Sequence, residues 1–275
     1  MKQQQKQDKQ NSENKEEDNE TTTIPVLLLQ VPGADAGAKR AYGAGVAVLA
    51  PRGAAKALWL ALVYAGAHAT GLAEAAGAAL EAGRPAFPRD WPDTAAARDL
   101  AAIERAEREE RHLARPPAKR PNYARLGVAS PFAAPWDTLF GEGVGGKNDW
   151  FVCRTEADVR EALARGTSDA LVCGTVRCTH RGVVTPLAAL YTAENNEMAD
   201  GDVQPVGFVT SGAFRYTSGR GGGIACCVLG RCYGADDADA VCAGQPCVLR
   251  ARNTGASVLR EVHFVPLLGA DCLWL

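Results

Sequence analysis

The sequence predicts an α+β protein in which a mixed α/β region is followed by a small antiparallel β-barrel or sandwich. Helix-favouring and strand-like runs alternate before residue 141, whereas short strand-like runs separated by Gly, Asn and Asp turns dominate after residue 169. A Gly-rich stretch lies between these two regions. We therefore expect a polar tail at 1–23, a mixed α/β domain at 24–140, a linker at 141–149 and a β-rich domain at 150–275.

The net charge and the amino-terminal tail limit the classes of protein to which this chain can belong. The chain has 275 residues and a net charge of −2, so any basic surface must be a local patch. The first twenty residues contain no aliphatic or aromatic residue after Met1 and are expected to be disordered. The tail lacks the apolar segment of a signal peptide, and the most apolar window is interrupted by Gly66 and His68. These features predict a soluble intracellular protein.

The region before residue 84 contains two strand-like runs and one helical run. Residues 24–33, IPVLLLQVPG, are apolar and end in a Pro-Gly turn, which predicts a strand buried on both faces. A second short strand is expected within residues 43–53. From residue 54 to 82 the side chains are small and helix-favouring, and they include Leu58, Leu62 and Leu72 at the spacing of an apolar stripe.

A proline-containing segment and a charged helix follow. The prolines of residues 84–94, RPAFPRDWPDT, exclude a helix and a central strand, so this segment is expected to cross the surface, held by its two aromatic side chains. Asp93 or Thr94 is then expected to cap a helix that ends near Ala114.

Residues 115–127, RPPAKRPNYARLG, are the clearest electrostatic feature of the chain. The surrounding stretch 111–136 contains five Lys or Arg residues and no acidic residue. Three prolines are expected to hold the segment extended without internal hydrogen bonds, which would present its cations along a line suited to phosphates. Physical chemistry alone gives equal weight to a surface linker whose cations maintain solubility. Tyr123 is expected either to stack on a base or to anchor the loop.

The second half predicts one short helix and several strands. Thr155 and Asp158 resemble a capping box, and Gly166 is a suitable helix end. The strand-like runs are residues 170–178, 183–193, 206–214, 223–229, 246–253 and 257–267.

The sequence gives no convincing catalytic, metal or cofactor site. The run SGRGGG at 218–223 lacks the Lys-Ser/Thr of a P-loop and is interpreted as a flexible hairpin. The nine cysteines are expected to be reduced, and two C-x4-C pairs are looser than usual zinc spacing, so buried strand cysteines are favoured over zinc. The four histidines have no partner at metal spacing, and no nucleophile and base can be paired.

Several motifs resemble the largest protein subunit of eukaryotic nuclear ribonuclease P and ribonuclease MRP. IPVLLLQVPG, FPRDWPDT, and RPPAKRPNYARLG followed by SPFAAPWDTL are similar to its POPLD domain, which the resemblance assigns to residues 24–140. GFVTSGAF and CVLRARNTGASVLREVHFVPL are similar to its C-terminal domain. Members of this family are longer and carry a basic portion before the POPLD domain.

The resemblance implies a scaffold subunit of a ribonucleoprotein whose RNA carries the active site and removes 5′ leaders from precursor tRNA or, in the MRP form, processes precursor rRNA. It implies ribonuclease P RNA, ribonuclease MRP RNA and other protein subunits as partners, indirect contact with precursor tRNA, no membrane, no cofactor, no catalysis by the protein itself, and a nuclear and nucleolar location. The residues expected to contact RNA are Arg89, Arg115, Lys119, Arg120, Asn122, Tyr123 and Arg125.

Two other functions remain open from the sequence. VGFVTSGAF and the β-rich region around it also resemble the C-terminal barrel of the glycine cleavage T protein, a folate-dependent aminomethyltransferase, although that family's folate-binding half has no counterpart here. A protein-interaction module without direct RNA contact is the third possibility, in which the barrel docks partner subunits.

Overall fold

The computed structural model describes residues 23–31, 33–36, 39–140, 150–166, 169–193, 203–234 and 236–269. The predicted tail, apart from Thr23, and the predicted linker at 141–149 lie outside these residues. The described residues divide into two compact units: those between 23 and 30 and between 46 and 69 form unit 1, and those between 31 and 45 and from 70 onwards form unit 2.

Unit 1 is built from a two-stranded sheet and one helix. Strand β1 (Leu27–Val31) pairs with strand β4 (Gly45–Leu49), and helix α1 spans Ala55–Tyr64. The prediction of a strand here is confirmed, but its burial is wrong, since Leu28 is 61% exposed. Three of the five residues of β1 are exposed, because a two-stranded sheet with one helix buries little apolar surface.

The helical run predicted at 54–82 is two helices. Helix α1 ends before Gly66, which adopts a left-handed φ of 93°, and helix α2 (Leu72–Ala82) begins six residues later in unit 2. The predicted apolar stripe is wrong, because Leu62 is exposed and Leu72 is 90% exposed. Unit 2 also contains the short hairpin of β2 (Ala34–Ala36) and β3 (Lys39–Tyr42), and β2 contacts α2.

The segment predicted to cross the surface at 84–94 is instead largely buried. Asp90 and Trp91 are 1% and 7% exposed, whereas Phe87 projects into solvent. The backbone turns at Asp90 and Trp91, whose amides donate to carbonyls of Ala86 and Pro88. The reason is that Trp91 contributes to an apolar core and Asp90 finds hydrogen-bond donors on a neighbouring strand.

Helix α3 (Ala95–Leu113) starts where the sequence predicts. Thr94 is the N-cap, and its hydroxyl accepts a 3.2 Å hydrogen bond from the amide of Ala97. The last residue, Leu113, precedes the basic segment.

A closed six-stranded antiparallel barrel forms the main part of unit 2 after residue 169, and of the two predicted architectures, barrel or sandwich, it is the barrel. Within the ring each strand pairs with its two neighbours, and pairing between β11 and β6 closes it. A short parallel strand, β5 (Phe151–Cys153), extends the barrel beside β6. The six strands are β6 (Ala170–Cys178), β7 (Ala189–Thr192), β8 (Gly207–Arg215), β9 (Arg220–Val228), β10 (Cys247–Arg252) and β11 (Leu259–Pro266), in the ring order β11-β10-β7-β8-β9-β6.

Three helices accompany the barrel. Helix α4 (Glu156–Arg165) has the predicted capping box, with the Thr155 hydroxyl accepting from the Asp158 amide and the Asp158 carboxylate accepting from the Thr155 amide. It ends at Gly166 in the left-handed conformation, as expected. The two short helices are α5 (Leu229–Cys232) and α6 (Ala238–Cys242).

Two apolar clusters stabilise unit 2. The first fills the barrel and continues to α4, with Val172, Val209 and Phe264 among its fully buried members. The second lies on the opposite face of β6, β8 and β9, where Trp91 and Phe140 join Ile224. The strands therefore bury both faces, and the second cluster joins residues before 141 to the barrel.

The glycine-rich hairpin is rigidly packed and not flexible as predicted. Gly221 and Gly223 lie in β9, and a Cβ atom on either would come within 2.1 and 2.2 Å of the carbonyl oxygens of Gly182 and Ser211. Strand β9 therefore approaches the neighbouring backbone more closely than any residue other than glycine would permit.

The strand cysteines are buried, in agreement with the favoured interpretation of the sequence. Cys173 of β6 and Cys226 of β9 are register partners, and both are fully buried. Within the described ranges no group of three or more His, Cys, Asp or Glu side chains could hold a metal ion. None of the helices in those ranges is long and apolar enough to cross a membrane.

Candidate nucleic-acid interface

A buried carboxylate fixes the segment before α3 on the barrel. The Asp90 carboxylate accepts hydrogen bonds from the amide of Ala86 at 2.7 Å and from the hydroxyls of Thr210 and Ser211 in β8. Burial raises the pKa of Asp90, although these hydrogen bonds and the charge of Arg89 oppose that rise. Because a buried carboxylate is stable only with such partners, Asp90 holds this part of the chain in a single arrangement.

A second carboxylate joins α2 to the turn between β8 and β9. The Glu81 carboxylate accepts from the amides of Tyr216 and Thr217, and Arg215 donates to the Glu81 carbonyl at 2.6 Å. Burial alone would raise the pKa of Glu81, but the bonds from Thr217 and Tyr216 and the charge of Arg215 together lower it. The turn at the end of the β8–β9 hairpin is thereby held against α2.

The basic segment, residues 115–127, is compact and not extended as predicted. A 3-10 turn spans Pro117–Lys119, and the amides of Lys119 and Arg120 donate to carbonyls within the segment. A second turn follows, in which the Asn122 side-chain oxygen accepts from the amide of Arg125. The prolines begin these turns instead of lengthening a polyproline helix, so the extended conformation expected to align the cations does not form.

Arg120 and Asn122 have structural partners in the segment itself. The guanidinium of Arg120 donates to the carbonyls of Arg115 at 2.8 Å and Leu113 at 2.6 Å, at the end of α3. The Leu113 carbonyl is one that a helix end leaves without a partner, and a cation there also complements the helix dipole. Arg120 therefore closes α3, and Asn122 closes the turn that follows.

Tyr123 anchors the basic segment. Its ring lies 5.3 Å from that of His112 in α3 and 5.7 Å from that of Phe132. Arg108 of α3 donates to the Phe132 carbonyl at 3.1 Å. Of the two alternatives that the sequence left open for Tyr123, this packing is the anchoring one.

Arg89 lies apart from the basic segment. It forms an ion pair with Glu104 of α3, which also binds Arg108 at 2.6 Å. These three residues line a small cavity of about 90 Å³. The charge of Arg89 is thus partly balanced, and Arg89 does not share a surface hollow with the cations of the segment.

Three cations of the basic segment are exposed. Arg115, Lys119 and Arg125 form neither ion pairs nor side-chain hydrogen bonds with other residues in the described ranges. Arg125 lines a cavity of about 540 Å³ between the basic segment and the barrel. This is the size of cavity that commonly takes a ligand.

Barrel residues that sequence analysis missed complete this cavity. Arg252 of β10 donates to the Leu126 carbonyl at 2.9 Å and to the Tyr191 hydroxyl at 3.1 Å, and its guanidinium lies 5.7 Å from the Tyr191 ring. Arg252 therefore fixes the basic segment on the barrel and brings a second cation beside Arg125. The alternation of Arg250 and Arg252 within a strand was the available sequence signal.

The loop before β7 borders both cavities. Leu187 lines the cavity of Arg125 and the smaller cavity of Arg89, and its φ of 67° is unusual for a residue with a side chain. The Leu187 amide donates to the Val209 carbonyl at 2.8 Å, and the Thr254 hydroxyl donates to the Leu187 carbonyl. Both backbone groups are held, which maintains the unfavourable conformation.

Comparison with known proteins identifies the region that contains Asp90 and the basic segment, but not the barrel residues. Residues 45–136 match the POPLD (NUC188) domain. This match includes part of unit 1 and the portion of unit 2 that contains Asp90, α3 and the basic segment. The predicted boundaries at 24–140 and 150–275 stay predictions.

Relatives from three organisms are similar to the chain. The human ribonucleases P/MRP protein subunit POP1 is 40% identical over 117 residues, or 42% of this chain, and the Arabidopsis thaliana subunit is 35% identical over 104 residues, or 36%. The Schizosaccharomyces pombe subunit is 28% identical over 209 residues, or 66% of this chain, so this similarity extends beyond the POPLD match.

The chain spans only a part of these proteins. It covers 11% of the human relative, 28% of the Schizosaccharomyces pombe relative and 12% of the Arabidopsis thaliana relative. The resemblance predicted from the sequence motifs is nevertheless confirmed: the chain carries a POPLD domain and is similar to the POP1 protein subunit of ribonucleases P/MRP.

Proposed function

We propose that this protein is an RNA-binding scaffold subunit of ribonuclease P and ribonuclease MRP. In this proposal it binds the RNA of those ribonucleoproteins and thereby supports removal of tRNA 5′ leaders and processing of rRNA precursors. It acts in the nucleus and nucleolus. The RNA performs the chemistry, and the protein holds the folded RNA in its active arrangement.

The observation that carries this proposal is the exposed cationic face of the basic segment within the POPLD match. Arg115, Lys119 and Arg125 are available for phosphates because no carboxylate in the described ranges pairs with them. The turns that present them are fixed by Arg120 and Tyr123. A rigid surface of unpaired cations is suited to backbone contacts that position an RNA without reading its sequence.

The roles of the seven predicted RNA contacts differ under this proposal. Arg115, Lys119 and Arg125 contact phosphates directly. Arg120, Asn122 and Tyr123 shape the surface, as their internal hydrogen bonds and ring contacts support. Arg89 is a weaker candidate because Glu104 offsets its charge.

Immunoprecipitation of the protein from native extract, followed by sequencing of the bound RNA, tests the proposal. Enrichment of ribonuclease P RNA or ribonuclease MRP RNA is the expected result, and recovery of neither RNA would overturn it. The double variant Lys119→Gln/Arg125→Gln should reduce the recovered RNA. Arg165→Gln, which removes one exposed cation that is paired with Glu161, is the charge control and should not.

An exposed apolar surface in unit 1 supports the proposal that the protein also contacts other protein subunits. Trp59, Leu60, Leu62, Val63 and Tyr64 of α1 are all between 42% and 87% exposed. A helix this apolar is expected to bury such side chains against another protein surface. We propose that α1 contacts another protein subunit. Association with those subunits should survive ribonuclease treatment and be lost in Leu60→Lys/Val63→Lys, whereas loss on ribonuclease treatment would contradict direct contact.

A further inference from the structure

Another cavity, of about 500 Å³, lies at one end of the barrel, separate from the two cavities described above. It opens between the loop that follows β6 and the turn of the β8–β9 hairpin. We refer to it as the hairpin hollow. The lining residues that matter here are Thr179, Arg181, Gly182, Phe214, Arg220 and Gly221.

The charged side chains that line the hairpin hollow are all positive. Arg181 and Arg220 line it, and neither Asp nor Glu is among its lining residues. Both arginines are exposed, as is Arg177 near the end of strand β6. Arg220 donates to the Thr179 carbonyl at 3.1 Å and so joins the two sides of the hollow. A concave surface of one sign attracts ligands of the opposite charge.

A further guanidinium supports the loop from behind. The Nε atom of Arg260 would lie 2.5 Å from a Cβ atom at Gly182, so the Arg260 side chain packs directly on that backbone. Its Nη1 atom is buried without a hydrogen-bond partner within the described ranges. Arg260 therefore adds positive charge that nearby protein groups leave only partly satisfied.

Aromatic rings border the same cations. Phe214, at the end of β8, lines the hollow and is 43% exposed, and Tyr216 in the following turn is 85% exposed. The two rings form an edge-to-face pair with centroids 5.4 Å apart. Aromatic side chains left this open beside arginines are unusual on a protein surface and are typical of surfaces on which nucleic-acid bases stack.

The hairpin hollow is preorganised. Glu81 fixes the turn through Tyr216 and Thr217, as described above, and Gly221 packs against the Gly182 carbonyl. Asn253 holds the opposite loop by donating to the Val183 carbonyl at 2.9 Å and accepting from the Thr185 amide at 3.0 Å. Little conformational entropy would be lost when a ligand binds.

We propose that the hairpin hollow binds a nucleotide of single-stranded RNA, with a base stacked on Phe214 or Tyr216 and phosphates held by Arg181 and Arg220. The inference rests on the proposed function for its choice of RNA. It adds a contact on the barrel that is formed by residues outside the basic segment and outside the POPLD match. An acidic peptide would use the same arginines but would leave the exposed aromatic faces unexplained.

Binding of a fluorescein-labelled single-stranded RNA of about eight nucleotides to the full chain tests this site. The variants are Phe214→Leu, which keeps an apolar side chain but removes the aromatic face, and Arg181→Gln/Arg220→Gln. Arg165→Gln, at a cation paired with Glu161, is the charge control. Lys119→Gln/Arg125→Gln measures the basic segment in parallel. Thermal unfolding of every variant checks that the fold is retained, and ultraviolet crosslinking of the unaltered chain tests the site without a substitution.

The expected result is a loss of affinity of about fivefold or more in Phe214→Leu. The double arginine variant should lower the magnitude of the log–log salt slope by about 1.4, because each lost phosphate contact on a single strand removes about 0.7. Crosslinks should map to Phe214 or Tyr216, and Arg165→Gln should bind like the unaltered chain.

Three results would contradict this inference in different ways. Unchanged affinity and no crosslink at the hollow, with weakened binding in Lys119→Gln/Arg125→Gln, would overturn the hollow alone and leave the proposed function standing. Absence of RNA binding by the unaltered chain would count against both the RNA site in the hollow and the proposed function. Equal displacement of the RNA by polyglutamate of matched charge, with no effect of Phe214→Leu, would assign the hollow to acidic peptides and overturn the RNA proposal for it.

Discussion

The hydroxyl of Ser211 donates a 2.6 Å hydrogen bond to the carboxylate of Asp90, 121 positions earlier in the chain. Asp90 lies within the POPLD match, and Ser211 lies in strand β8 of the barrel. The same two regions share the apolar cluster of Trp91 and Ile224. The later part of the POPLD match therefore folds on the barrel as part of unit 2, whereas residues 46–69 belong to unit 1.

Replacing Asp90 should destabilise unit 2. Asp90→Ala leaves the Ala86 amide and the Thr210 and Ser211 hydroxyls without their acceptor, and we expect the free energy of unfolding to fall by about 2 kcal/mol. Urea denaturation followed by tryptophan fluorescence would measure the change. Asp99→Asn, at an exposed position of α3, is the control and should change stability by less than about 0.5 kcal/mol. Equal stability of the two variants would show that Asp90 is not an anchor.

The effects of Asp90 and Glu81 should depend on pH in opposite directions. Burial raises the pKa of Asp90 in the folded state, so the stabilisation it gives is largest below the ordinary aspartate pKa and declines as the pH rises through the raised value. The pKa of Glu81 is lowered, so its stabilisation is complete above the ordinary glutamate pKa and is lost as the pH falls through the lowered value.

Unfolding measured at acidic and neutral pH would separate these effects. The penalty of Asp90→Ala should be larger at acidic pH, and that of Glu81→Gln should be larger at neutral pH. Glu74→Gln, at an exposed position of α2, is the control for Glu81 and should show a small penalty at both. Penalties that change in the same direction for both residues would contradict the assigned pKa shifts.

Sequence patterns predicted the barrel because its strands carry local information. Runs such as 170–178 and 257–267 alternate or are continuously apolar, and the turns between them contain Gly and Asn. The burial of residues 84–94 was not predictable in this way, because it depends on Ser211 and Ile224 more than a hundred positions away. The exposure of β1 was missed for a related reason: an apolar run indicates a strand but does not say how many layers cover it.

The candidate site was predictable in part. The cations of the basic segment were visible as an acid-free stretch, but composition could not distinguish Lys119, which is exposed, from Arg120, which is used by the helix end. Arg252 escaped notice because only the fold brings β10 beside Leu126. The proline pattern indicated an extended chain, whereas the helix end and Tyr123 favour turns.

Arg120 and Lys119 should therefore respond differently to substitution. Arg120→Gln loses guanidinium bonds to Leu113 and Arg115 and should lower stability by about 1 kcal/mol. Lys119→Gln should leave stability unchanged and lower the magnitude of the salt slope of RNA binding by about 0.7. Thermal unfolding and a salt titration of RNA affinity would measure these two quantities. A stability loss in Lys119→Gln equal to that of Arg120→Gln would contradict the division of roles.

The close packing of the β8–β9 hairpin gives the sharpest structural test. In Gly223→Ala the new methyl group would lie 2.2 Å from the Ser211 carbonyl oxygen, which belongs to the backbone of a barrel strand and cannot move without breaking the ladder. We expect the free energy of unfolding to fall by about 3 kcal/mol or more.

Gly219, in the turn of the same hairpin, provides the control. It has a φ of 66° and no neighbour within 4 Å of an added Cβ among the described residues. Gly219→Asn should therefore be tolerated at a cost of about 1 kcal/mol or less, because asparagine adopts the left-handed conformation more readily than most residues. Urea denaturation of both variants measures the difference. If Gly223→Ala proved as stable as Gly219→Asn, the hairpin would have to be flexible, and the preorganised hollow at its end would lose its physical basis.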